Sequence, residues 1–275
     1  MKEFKKQVKN VVRVLYRATP QHKHMFVALM KMTGSNCAVT ADGLNDARAL
    51  SEANVGFAMG LGGCAVAKEH ADIIILDDNF KSVFSAIKWG RNIFDNVRKF
   101  LTFQMTVNMS CLFIVAVTGA TLGMSPFSVI QLLWLNLVMD TLAALALGTE
   151  APHPTVLRKE RIKKKDKIFL PIMWRSILSQ FVYQALVMLI LLYFGPSMFD
   201  ISYNLASTEL RDDGSPTNRL VHYTFLFQTF FLMNWFNQIN CRKIGSQDEK
   251  ELNVFSRMYD NWWFCIVLLA ELNIQ

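Results

Sequence analysis

The sequence predicts a soluble α/β region followed by an all-α, multi-span transmembrane region, and three observations carry that reading. Hydrophobic residues make up 52% of the 275 and mean hydropathy is +0.23, more apolar than a soluble domain of this length. Charged residues are frequent up to Lys99 and scarce after it, except in loops. Five apolar runs then follow, each close to the ~20 residues that cross a bilayer as a helix.

The start, MKEFKKQVKNVVRVLYRATPQHKH, is basic and amphipathic, with no continuous apolar core and no small-residue cleavage site. It is therefore not read as a signal peptide, and the chain is expected to begin within a domain. After Pro20, VALMKM has helical spacing; NCAVT, VGFAMG and ADIIIL read as short strands, the last richly β-branched. Strands this apolar, separated by helical stretches, predict a buried parallel sheet, and three of them are expected to be half of one. Residues 1–90 form this soluble part and residues 91–275 the membrane part.

The membrane segments are expected at 100–122, 126–148, 171–195, 222–240 and 259–275. Cytoplasmic loops carry the Lys and Arg excess, and here the loops alternate. GATLGMS is uncharged, LRKERIKKKDK holds seven basic residues, ELRDDGSPTNR is net acidic, and the stretch from CRKIGSQDEK to Arg257 is basic again. This orientation puts the soluble region in the cytosol. The net charge of +7 gathers beside apolar stretches rather than along one face, which predicts a lipid bilayer as partner and no nucleic acid. The five cysteines have no CxxC spacing, so they suggest neither a zinc site nor a disulfide framework.

Two places carry chemistry. In IQLLWLNLVMDTLAALALGTE, Asp140 lies deep among apolar residues, where a carboxylate costs ~2.5–3.5 kcal/mol unless something pairs with it. Asn136 is four residues earlier on the same helical face, and a carboxylate with an amide carbonyl offers hard oxygens to Ca²⁺, Mg²⁺ or Na⁺. The preceding segment, FLTFQMTVNMSCLF, supplies Gln104, Thr106 and Asn108. For Gln104 and Asn108, gluing helices together is as good a reading as ligation; for Asp140, ligation or proton relay is the better one. In CAVTADGLNDARAL, a strand ending at Thr40 leads into a turn that presents Asp42 and Asp46 at the carboxyl edge of a sheet, suited to Mg²⁺ beside a phosphate. On spacing alone, DGLND is equally an ordinary loop.

With its surroundings, Thr40 to Leu50 resembles the hinge motif TGDGxNDxPAL of P-type ATPases. The resemblance runs on through VGFAMG, VAKEHADIIILDDNF, KWGRNIFDNVRKFLTFQMTVN and LLWLNLVMDTLAALALGTEAP, covering almost the whole chain; the last two blocks look most like plasma-membrane-type calcium pumps. It implies that residues 1–90 are the C-terminal half of a HAD-like, Rossmann-like phosphorylation domain and the five segments are spans five to nine of ten. It implies Mg²⁺ and ATP as cofactors, with the nucleotide site mostly outside this chain, and Ca²⁺ as the transported ion. Asp42 corresponds to the Mg²⁺-binding hinge aspartate, Asn45 and Asp46 to residues that shape that site, and Lys23 to the lysine contacting the transferred phosphoryl group. Asn136 and Asp140 match the calcium ligands of the sixth span, and Asn108 matches a polar position of the fifth. Cys111 and Asn234 stand where two-ion pumps have carboxylates, which implies one ion per cycle. The resemblance favours the plasma membrane, and internal membranes use related pumps.

The departures are Ala41 for the hinge glycine, Arg48 for its proline, and Cys64 and Ala65 for Thr and Asp. Glycine serves where the backbone needs φ > 0 or a close approach, so Ala41 raises an expectation of a distorted loop around Asp42. The chain contains no DKTGT, no KGA-type pocket, no TGE segment and no first four spans, and is expected to be a fragment needing the N-terminal half of the pump or another pump chain as partner. The alternative is an inactive pump-like partner or regulatory subunit. A weaker third reading is a phosphatase-like domain on a membrane anchor.

Overall fold

The computed structural model describes residues 14–123, 125–152, 156–157, 167–199, 218–243 and 261–275. Most of the LRKERIKKKDK loop, the acidic loop up to Thr217, the stretch 244–260 and the first 13 residues lie outside them. The chain divides into two compact units, Met1–Arg91 with Pro152–Lys167, and Asn92–Ala151 with Ile168–Gln275.

In the first unit, helix α1 (Pro20–Met32) starts where Thr19 accepts a hydrogen bond from the His22 amide and Pro20 takes the first helical position, a pairing suited to an N-terminus. It stops at Thr33, followed by Gly34 at φ +80°, a conformation that costs a residue without a Cβ nothing. Strands β1 (Ala38–Ala41), β2 (Val55–Met59) and β3 (Ile73–Ile75) form a parallel sheet in that order, at the three places the sequence predicts. A single turn at Leu44–Asp46 and helix α2 (Ala47–Glu52) connect β1 to β2, and helix α3 (Ala65–Glu69) connects β2 to β3. Side chains alternate across a strand, and β2 shows it. Phe57 packs with Ile75 and Val83, while Ala58 packs with Ala41, Leu50 and Ala67 in a separate cluster. Lys31 donates to the Glu52 carboxylate and carbonyl at 3.1 and 2.8 Å, joining α1 to α2.

The loop after β2 is built around glycine and one carboxylate. A Cβ on Gly60 would sit 2.6 Å from the Ile75 carbonyl oxygen, and one on Gly63 would overlap that of Met59, so the backbone can pass only without side chains. Asp78, at φ +48°, accepts hydrogen bonds from the amides of Gly60, Leu61 and Gly62. The Gly62 amide, with those of Leu61 and Gly60, holds the Asp78 carboxyl below the usual carboxylate range. A depressed carboxyl pKa adds stability above its unfolded value and loses it as pH falls through the folded one. Amide protection at residues 60–62 is therefore expected to fall as pH drops below ~4, and Asp78→Asn is expected to remove that dependence; hydrogen exchange followed by mass spectrometry across this range checks it.

The sequence places an apolar segment at 100–122, within the second unit. The structure instead has one helix, α4 (Phe80–Leu122), of 43 residues, which at 1.5 Å per residue is ~65 Å long. Residues 80–122 contain no proline, so the hydrogen-bond ladder runs through despite weak helix formers such as Gly90, Asn92 and Asn96. The next segment begins with α5 (Val129–Trp134), capped by Ser128 and Gln131. It passes through a π-helical turn (Leu135–Met139) and continues as α6 (Asp140–Gly148). Helix α7 spans Pro171–Met198, α8 Asn218–Cys241 and α9 Trp262–Ile274. Among the described residues, α4, the run Val129–Gly148 and α7 are long and apolar enough to cross a membrane. Helix α9 is apolar but has 13 described residues, and α8 interrupts its apolar surface with His222, Gln228, Asn234, Asn237 and Gln238. Phe103, Met139, Met188, Phe230 and Phe264 lie at the centre of the core that these helices share. His222 fits against α7 because Gly195 leaves room, and its Nε2 lies 2.9 Å from the Leu191 carbonyl oxygen.

Candidate functional site

Each unit holds one of the two predicted clusters. In the first, β1 ends at Ala41 and delivers Asp42 to the carboxyl edge of the sheet, with its side chain exposed and its carbonyl accepting from the Cys64 amide at 2.8 Å. Lys23, from the first turn of α1, forms an ion pair with Asp46 at 2.7 Å. The structure thus joins two of the residues singled out from sequence across 23 positions. Asn45 is exposed and lines, with Thr19, Pro20, Gln21, Leu44 and Arg48, a cleft of about 460 Å³. An exposed carboxylate at a strand end fits the one or two protein ligands that Mg²⁺ takes while keeping several waters.

Two departures from the motif now have a structural reading. Ala41 is part of β1, paired with Ala58 and 8% exposed, and its φ is not positive, so its Cβ strains nothing. The expectation of a loop distorted by Ala41 is corrected: the position is ordinary strand. Cys64 caps α3, its Sγ accepting from the Ala67 amide at 3.4 Å, a task that a hydroxyl oxygen performs better. Cys64→Thr is expected to stabilise the first unit by ~0.5–1 kcal/mol, read as a higher unfolding midpoint.

In the second unit, the π-helical turn delivers Asp140 to the start of α6, where the residue is 6% exposed. A π turn inside an α-helix changes the direction of every side chain after it, and such turns are frequent at functional sites. Gln104 on α4 donates from Nε2 to Asp140 Oδ2 at 2.6 Å. The other carboxylate oxygen, Oδ1, and the Gln104 carbonyl oxygen are buried without a hydrogen bond. Two acceptor oxygens are therefore left in an apolar surrounding, an arrangement that costs free energy unless a cation or proton supplies the missing partner.

The other predicted ligands stand apart. Asn136, within the π turn, and Asn108, on α4, are both exposed and make no hydrogen bond to Asp140. Thr106 is buried but donates to the Thr102 carbonyl of its own helix at 2.9 Å. Asn234 is fully buried and occupied, accepting from Gln184 and donating to the Phe230 carbonyl, both at 3.0 Å.

Sequence reasoning missed a third cluster. Glu150, just past α6, accepts from Lys99 Nζ at 2.6 Å and from Arg242 at 3.1 Å. Asn92 and Asn96 donate to the carbonyls at the same helix end, and Arg242 stacks 4.7 Å over Phe264. Cations and amide donors here meet carbonyls that no helical N–H satisfies and the negative end of the helix dipole. The signal was present: Glu150 is the first charge after nine uncharged residues, Thr141 to Thr149.

Residues 124–275 match the family described as cation transporting ATPase, C-terminus. The chain is 44% identical over 270 residues to plasma membrane calcium-transporting ATPase 4 of Homo sapiens, covering 96% of this chain and 21% of that protein. It is 38% identical over 264 residues to putative calcium-transporting ATPase 11, plasma membrane-type, of Arabidopsis thaliana, covering 96% and 24%. A calcium-transporting ATPase 1, plasma membrane-type, of Oryza sativa subsp. japonica is 39% identical over 265 residues with the same coverage. The chain spans less than a quarter of the length of these relatives.

Proposed function

Because the chain belongs to the cation-transporting ATPases, which it matches through their C-terminal region, we propose that it is the C-terminal part of an ATP-driven pump exporting Ca²⁺ through one intramembrane site. The observation that carries this is Asp140, a buried carboxylate with one oxygen held by Gln104 and the other left for a cation. The relatives' names supply calcium and the plasma membrane as the ion and the location. In this reading residues 91–275 are the membrane domain, and residues 1–90 are the C-terminal half of a HAD-like phosphorylation domain. The parallel sheet with Asp42 at a strand end supports the latter.

The two clusters have separate tasks. Asp42 would hold Mg²⁺, which when bound offsets the negative charge of a phosphoryl group. Lys23 supplies a further positive charge, while its ion pair with Asp46 holds the first turn of α1 against the hinge turn. In the membrane, Asp140 binds the substrate cation and Gln104 orients its carboxylate, with the Gln104 carbonyl oxygen as a second ligand. Asn136 and Asn108 are expected to join from their exposed positions, since a calcium ion takes six to eight oxygens. The experiment is to exchange this chain for the matching segment of the human relative and measure ATP-driven calcium uptake into inside-out vesicles. Uptake by the chimaera supports the reading; a folded chimaera without uptake overturns it.

A further inference from the structure

Asp140 is not the only acid buried among the described helices. Glu271 sits in the apolar run VLLAELNI of α9 and is 1% exposed, and neither carboxylate oxygen makes a hydrogen bond. Its neighbour is Gln238 of α8, fully buried, whose amide nitrogen and oxygen also lack hydrogen bonds. The two helices run antiparallel, tied by Trp235 Nε1 donating to the Leu268 carbonyl at 3.1 Å and by Gln275 donating to Gln228 at 2.7 Å. Helical side chains lean toward their own N-terminus, so Gln238 and Glu271 lean toward each other from either side of the Trp235 contact.

We propose that Glu271 and Gln238 form a proton-binding site between α8 and α9, with the Glu271 carboxyl holding an exchangeable proton. An amide and a neutral carboxyl match one to one: the acid O–H donates to the Gln238 carbonyl oxygen, and the Gln238 N–H₂ donates back to the acid carbonyl. An ionised Glu271 would leave one of those groups unsatisfied and a charge without a partner in an apolar interior. The surrounding groups do not supply that partner. Helix α6, which packs on α9, contributes Asp140 as its one charged residue, of the same sign. Helix α8 contributes His222, Tyr223 and Cys241 among its described side chains, with Arg242 and Lys243 just beyond its end; α9 itself adds Cys265. Arg242 is committed to Glu150 and stacks over Phe264, seven residues and ~10 Å along α9 from Glu271. A divalent ion is poorly served by one carboxylate and one amide, since it takes six or more oxygens, and among the described residues no three His, Cys, Asp or Glu side chains converge. The proposal does not depend on which cation Asp140 takes.

The test is infrared difference spectroscopy on the whole chain in lipid nanodiscs, titrated through neutral pH. A protonated-carboxyl C=O band is expected at neutral pH, shifted in D₂O, lost in Glu271→Gln and retained in Asp140→Asn. Gln238→Leu is expected to raise the band's frequency by removing its hydrogen bond, and this variant carries the test if Glu271→Gln does not fold. A band absent at neutral pH, or unmoved by both substitutions, overturns the proposal. So does a band that Na⁺ or Ca²⁺ bleaches at constant pH in the Asp140→Asn background, because the pair would then take a metal cation.

Discussion

Asp140→Asn is expected to reduce calcium uptake by the chimaeric pump to background and to weaken calcium binding on the order of 100-fold, the scale on which ligand charge tunes such sites. The substitution changes charge without changing size. The Gln104 donor at 2.6 Å keeps an oxygen acceptor, so the contact between α4 and α6 survives. What is lost is the negative charge that compensates a cation brought out of water. Removing a buried charge that has no counter-charge is not expected to lower stability, because its desolvation opposes folding when the site is empty. The variant should therefore fold as well as the parent while transporting nothing. Calcium uptake and thermal unfolding measured on the same preparation separate the two effects. Retained uptake would remove Asp140 from the transport site.

Glu150→Gln is expected to do the opposite, destabilising the second unit by ~3 kcal/mol or more. Glu150 is the carboxylate shared by Lys99 and Arg242, whose side chains are 11% and 1% exposed. Neutralising it leaves two cations facing each other with little water to screen them, and removing one partner of a buried ion pair costs more than the pair itself contributes. The contact also ties α4, the end of α6 and the end of α8, so its loss should lower the thermal midpoint in detergent. Lys99→Met in the same background should recover part of the loss, because it removes one of the two stranded charges. An unchanged midpoint in Glu150→Gln would show that the cluster is solvated enough to be neutral in stability.

Much of this is legible in the amino-acid sequence. The three strands appear where β-branched and apolar runs of four to six residues stand between breakers, and Asp140 was identifiable as the costly residue of an apolar run. Glu271 carries the same signal, an acid alone among Leu, Val and Ala, but no motif marks it. The pairing of Asn136 with Asp140 rested on the i, i+4 rule, which gives angular position on one helix. That rule does not say which of two neighbouring residues faces inward when a π turn intervenes, and the structure leaves Asn136 exposed and Asp140 buried.

What the sequence by itself determined is the order and kind of the elements, because hydrophobic period and segment length are local properties of the chain. It also determined where charge is expensive, because that depends on the residue and its neighbours. Only the tertiary structure decided the partners: Gln104 for Asp140, and Lys99 and Arg242 for Glu150 across 51 and 92 residues. Those choices depend on how helices far apart in the chain pack, and side-chain contacts across a helix interface follow from packing that no local pattern specifies.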